Sequence, residues 1–221
     1  MLEQPALVYV VLAIAAIVGL VVYARRRERA RVEALRQESL LLGFAFQETD
    51  ARLLQEPWAE APIFQRGRGR RASSVLKGRV GPFDAVVFDY QYTTGAGNNR
   101  RTHRLSPTVV HLPAAALPAF ELRPEHLLHR IGGHFGYQDI DFSDQPEFSS
   151  RYLLRGENET AIRTLFDARV LDHFARDGGW SVEGRGDWLV LWRRGGRLRP
   201  GDLRQLTVDG ERVARAFRPA G

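Results

Sequence analysis

His126, His129 and His134, followed by Asp139, Asp141 and Asp144, make the densest run of metal-capable side chains in the chain. Imidazole nitrogens with carboxylate oxygens are a sound ligand set for zinc or manganese. His126 and His129 are three apart and would share a helix face. Against a site, no HExxH or comparable spacing occurs, and Gly132-Gly133 interrupts the helix that would orient His134. Surface histidines and an acidic loop account for the same letters, so no metal ligand and no cofactor is assigned. The neighbouring segment Asp139-Ile140-Asp141-Phe142 alternates acid with apolar residue. As a strand it would project both carboxylates to one side, where a pair can share acid and base work. The competing reading is solvent-facing edge residues, with Asp144 ahead of Gln145-Pro146 as a turn acceptor.

Other catalytic patterns are missing. There is no Gly-x-Ser-x-Gly elbow and no EF-hand loop, and the absence of cysteine removes thiolate catalysis, disulfides and zinc-thiolate sites. The chain is basic, with net charge +6 and pI about 10.2, and the charge is nearly all arginine, Lys77 being the single lysine. Arg66, Arg68, Arg70 and Arg71, separated by glycines, read as a flexible basic loop able to meet phosphates. No aromatic residue is interleaved, so nucleic acid is not the expected partner. The glycine segment from Gly95 to Asn99 leads through Arg100, Arg101 and Thr102 back into a strand pattern. It therefore reads as a hairpin loop rather than a phosphate-binding loop, which would open a helix with Lys and Ser or Thr.

The elements that must carry these residues begin with an anchor. Residues 5–24 hold no charge, and at 1.5 Å rise they span about 30 Å, the thickness of a bilayer's hydrocarbon core. Arg25, Arg26, Arg27, Arg29 and Arg31 follow at once, while only Glu3 precedes the run. That order opposes a cleaved signal peptide and, by the positive-inside rule, predicts an N-terminus outside and a C-terminal bulk in the cytoplasm. The bias to arginine, alanine and glycine is that of a GC-rich bacterial genome, so the membrane expected is a bacterial cell inner membrane. The domains expected are an anchor over residues 1–24, a basic juxtamembrane helix over 25–43 and a cytoplasmic α+β domain over 44–221. The five arginines are expected to meet anionic lipid head groups, and the bilayer itself is the partner of residues 5–24.

Within the cytoplasmic part, strand patterns cover residues 73–80, 83–92 and 102–112. In the second, Val86, Phe88, Tyr90 and Tyr92 alternate with Ala85, Val87, Asp89 and Gln91, the period of a sheet with one aromatic face. Residues 113–124 read as a proline-punctuated connection, 125–131 as a short helix and 148–154 as a strand. A helix over 159–176 would put Ile162, Leu165, Phe166, Val170 and Phe174 on one face, capped by Asn158. Residues 180–183 and 188–192 pair as a hairpin, and Pro200 and Asp202 open a last helix that breaks near Asp209-Gly210. The fold class is α+β with a largely antiparallel sheet and a few packed helices.

The letters at Phe88-Asp89-Tyr90, and more fully from Asp139-Ile140-Asp141-Phe142 through Pro146-Glu147-Phe148-Ser149 to Tyr152-Leu153-Leu154-Arg155-Gly156, resemble a family of uncharacterised bacterial single-pass membrane proteins. The resemblance implies the same architecture, one membrane helix and a cytoplasmic domain, and brings no substrate, cofactor or catalytic residue. The function expected is a membrane-anchored cytoplasmic binding or adaptor module whose protein partner the sequence does not name. The alternative is a membrane-bound hydrolase or metal-dependent enzyme using Asp139, Asp141 and the nearby histidines.

Overall fold

The structure is a computed structural model that describes residues 4–125 and 139–218. Helix α1 runs unbroken over Gln4–Leu41. From Leu7 to Val22 its apolar side chains lie open on every side, and the stretch is long and apolar enough to cross a membrane. Beyond the arginines the same helix joins the fold: Leu35 and Ser39 are buried. Gly43, at φ 77°, turns the chain out of the helix, the left-handed position that favours glycine at a C-terminus.

Among the described residues nine antiparallel strands form one sheet: β1 (Ala45–Gln47), β2 (Arg68–Val80), β3 (Phe83–Thr94), β4 (Arg101–Leu105), β5 (Thr108–His111), β6 (Leu117–Pro124), β7 (Tyr152–Gly156), β8 (Trp180–Gly186) and β9 (Trp188–Arg193). Their order is β1-β2-β3-β5-β9-β8-β6-β7, with β4 beside the far half of β3. Between the strands stand short helices α2 (Pro62–Gln65) and α3 (Pro146–Ser149), then α4 (Glu159–Leu165) and α5 (Ala168–Arg176), and α6 (Leu203–Ala216) follows the last strand. The α+β expectation holds.

Both sheet faces are covered, so the strand alternation sorts side chains between two cores. Ala85, Val87, Val110, Val182, Leu189 and Leu191 meet Phe166, Val170, Phe174 and Phe217 of the C-terminal helical layer. Phe88, Tyr90, Tyr92, Val109, Val190 and Trp192 face the other way and pack under residues 53–64, chiefly Leu53, Trp58, Ile63 and Phe64. The aromatic face read from β3 is real. The opposite face is equally buried.

Several local expectations change. The single helix over 159–176 is two, because Asp167 leaves helical geometry and its carboxylate accepts from the Val170 amide (3.0 Å), starting α5 afresh. Asn158 does cap α4, accepting from Ala161 N (3.0 Å). The strand over 102–112 is divided into β4 and β5 at Ser106-Pro107, where proline has no N–H to give the ladder. Residues 117–124 are strand β6 rather than a connection, and Phe148 belongs to α3, with the strand starting at Tyr152. α6 passes through Asp209-Gly210 without a break, Gln205 Nε2 donating to Asp209 Oδ1 (2.8 Å) one turn on.

Candidate functional site

The expected chemistry near Asp139 does not assemble as a carboxylate pair. Residues 139–142 form no strand; Ile140 and Phe142 are buried, and Asp139 and Asp141 face solvent. Arg155 Nε donates to Asp139 Oδ1 (2.5 Å), and Arg163 takes the Asp141 main-chain carbonyl (2.9 Å). Asp144 is exposed. His126, His129 and His134 lie outside the described residues. Among the described residues no three metal-capable side chains converge.

A different set does converge. On the face of the sheet under residues 53–64, the register opposes Glu121 of β6 to Glu183 of β8, and Glu183 to Val190 of β9. Arg123, two residues along β6 from Glu121, projects from the same face. Glu183 and Arg123 are almost fully buried. Arg123 Nη2 donates to Glu183 Oε1 (2.6 Å), and the Ile63 amide donates to Glu183 Oε2 (2.9 Å). The Arg123 Nε side meets Glu121, whose Oε1 also accepts from Arg66 Nη2 (3.1 Å). The Arg123 guanidinium lies over the Trp192 ring, 5.1 Å from its centroid, a cation–π contact in a desolvated setting. Burial pushes the Glu183 carboxyl up against the opposing pull of Arg123, and it lowers Arg123 to about 10. The guanidinium thus stays charged at neutral pH.

Beside this cluster opens a cleft of about 250 Å³. Trp58, Phe120, Trp188 and Val190 give it apolar walls, Glu121 and Glu183 a polar end, and Arg155 and Arg185 stand at its rim. Arg185 reaches Glu60 (2.9 Å), tying β8 to the Pro57–Glu60 turn across the opening. Gly184 is required there: a Cβ would sit 2.2 Å from the Phe120 ring. Phe120 fills that gap and stacks on Phe217 (5.3 Å) beneath it. Because the cluster's charges are matched within the protein, the cleft offers a shaped apolar hole with a few fixed polar groups, the ordinary make-up of a recognition site.

The second structural centre joins α1 to the domain. Arg31 meets the buried Asp89 of β3 and donates to Leu198 O (2.9 Å). Glu28 takes Arg31 (2.9 Å) and, through both oxygens, Arg197 (2.6 and 2.7 Å). The hydrogen bond from Arg197, seconded by Arg31, holds the Glu28 carboxyl down at about 2. Asp89 Oδ1 also accepts from Ser106 Oγ (2.7 Å), which in turn accepts from the Leu198 amide (2.8 Å). Further along, Glu38 accepts from the Gly201 and Leu203 amides (2.8 and 3.1 Å) and so caps α6, a task Asp202 leaves undone. Of the five arginines behind the apolar run, Arg31 is therefore engaged by the domain, while Arg25, Arg26, Arg27 and Arg29 are exposed.

No family model matches the chain, and no curated protein matches it. Among solved structures, the crystal structure of the mycobacterial trehalose monomycolate transport factor A, TtfA, is similar in fold. It aligns with a TM-score of 0.60 at 12% identity, covering 86% of this chain and 97% of that one.

Proposed function

We propose that this chain is a membrane-anchored adaptor whose cleft receives one or two apolar side chains of a protein partner. In this reading residues 5–24 of α1 span a bacterial inner membrane, the N-terminus lies outside and the folded part is cytoplasmic. The apolar composition of the span and the arginines behind it support that orientation. The observation that carries the reading is the cleft's volume and build. About 250 Å³ falls below the usual 300–1,000 Å³ of small-molecule sites, and it suits the aromatic or aliphatic anchor of an interface. The neighbouring fold bears the name of a transport factor, which suggests a membrane transport assembly as the class of partner. The resemblance to uncharacterised single-pass proteins is consistent with that role.

The test is a cleft-filling substitution, Ala119→Trp, at a half-buried lining residue. The full chain and the variant are extracted from native membranes in mild detergent and used as bait. A partner held by the parent chain and lost by Ala119→Trp, with both unfolding at the same temperature, supports the cleft as the docking site. Undiminished capture of every partner by the variant would sink it.

A further inference from the structure

The arginine-rich segment that the sequence offered as a flexible loop is built into the sheet. Arg68, Arg70 and Arg71 open β2, while Arg101 and Arg104 belong to β4, with Arg100 just before it. The register sets Arg71 opposite Gln91, and Gln91 opposite Arg104, with Arg104 Nε donating to Gln91 Oε1 (2.9 Å). Arg68 pairs with Thr93 and Arg101 with Thr94, so the arginines crowd the end of a three-stranded tongue. All six are exposed. Arg70 is turned back on the Gln65 carbonyl (2.8 Å); among the described residues the other five meet no carboxylate. No Asp or Glu occurs between Glu60 and Asp84, or between Asp89 and Glu121, so no carboxylate lies close to them in sequence.

The direction of the tongue follows from its contacts with α1. Phe44, just past the end of α1, packs over Gly78, which pairs with Ala85 of β3. Arg31, a dozen residues back toward the apolar span, meets Asp89. Going back along α1 toward the span is therefore going forward along β3. Gln91, with Arg71 and Arg104 beside it, lies two residues beyond Asp89 on the same face, the side of the sheet on which α1 lies. From Asp89 to Thr94 the strand extends about 16 Å, and from Arg31 to Arg25 the helix rises about 9 Å. The tongue is thus long enough to reach the level of Arg25, Arg26, Arg27 and Arg29.

We propose that the β2–β3–β4 tongue is a lipid-head-group surface: Arg68, Arg71, Arg100, Arg101 and Arg104, with the exposed arginines of α1, lie against the anionic face of the bilayer that α1 crosses. The proposal rests on the anchored reading above. It turns one attachment into two, and the second fixes the angle at which the domain meets the membrane. Lipid is favoured over nucleic acid because the cations flank an apolar span and no aromatic ring is exposed among them. Each arginine near such a surface strengthens its attraction by about fivefold, and salt screens it.

The full chain has no cysteine, so Asn98→Cys at the exposed tip accepts one fluorophore. The labelled chain is reconstituted into vesicles of phosphatidylcholine, alone or mixed with phosphatidylglycerol, containing a lipid spin-labelled at its head group. Flotation tests the anchor by itself: a chain that fails to float with either vesicle overturns the anchored reading and this proposal together. With the chain floating, severalfold stronger quenching in anionic vesicles is expected, lost with Arg68→Gln, Arg71→Gln and Arg101→Gln combined and kept with the same three as lysine. Equal quenching in both vesicles overturns the proposal and leaves the anchor intact. A rise in probe anisotropy with a single-stranded oligonucleotide, with no response to anionic lipid, assigns the tongue to nucleic acid instead.

Discussion

Arg123 and Glu183 are each costly to bury, and each is tolerable only because the other is there. Removing one leaves the other with a charge and little water. Arg123→Met is expected to destabilise the fold by about 3 kcal/mol, and Arg123→Met with Glu183→Gln to recover most of that loss. Urea titration of the four proteins in the same detergent measures the coupling; simple additivity would show that the pair is not a unit. At the helix junction Glu28 behaves differently, because its folded value near 2 lies below the ordinary 4.5. A lowered carboxylate contributes stability that is present above about pH 4.5 and is lost as pH falls toward 2. Melting temperature followed from pH 6 to 2 should therefore drop less steeply in Glu28→Gln than in the parent, the difference closing at the acid end; identical profiles would deny the clamp. These residues were hard to read in advance. Arg123 and Glu183 are far apart in sequence, and only the register of β6 and β8 makes them neighbours. What the letters did carry was charge at positions that alternate with apolar ones: Leu122 beside Arg123, and Val182 beside Glu183.

Among the elements, α6 shows how a helix can borrow its start. Its opening amide, Leu203 N, and the Gly201 amide just ahead of it are held by Glu38 of α1 rather than by Asp202. Glu38→Ala should cost about 1–2 kcal/mol, while Asp202→Ala should be near neutral; equal effects of the two would contradict this assignment. The reversal is instructive about the sequence. Asp202 has the right type and place for a cap, yet only the tertiary contact decides which carboxylate acts. The hairpin of β8 and β9 was legible because Gly184 to Asp187 punctuates two alternating runs. The break between α4 and α5 was not, because the apolar period continues from Ile162 through Phe166 to Val170 across it. β6 was hidden by Pro113, Pro118 and Pro124, which read as loop until pairing with β7 and β8 is known.

At the scale of the whole molecule, the boundary between stalk and domain falls inside α1. The domain expected over residues 44–221 meets the finding that Arg31, Leu35, Glu38 and Ser39, all ahead of it, are structural parts of the fold. A chain beginning at Arg25 is expected to unfold cooperatively in plain buffer. One beginning at Phe44 loses the Asp89 and Arg197 partners and the α6 cap, and should unfold at markedly lower urea, if it folds at all. Equal midpoints for the two would show that the C-terminal half of α1 contributes nothing.

The unbroken course of α1 from the apolar run into the core also makes it a shaft. A helix turns about 100° and advances 1.5 Å with each residue, so the heading of the domain around the apolar run is set by the number of residues between Ala24 and Glu28. One added alanine there should swing cleft and tongue about a third of a revolution, while seven, close to two full turns, should bring them nearly back and lift them by about 10 Å. Partner capture by the full chain should therefore rise and fall with insert length on the period of the helix. A steady decline with length would mean that the joint bends, and that compass bearing is immaterial to what the domain does.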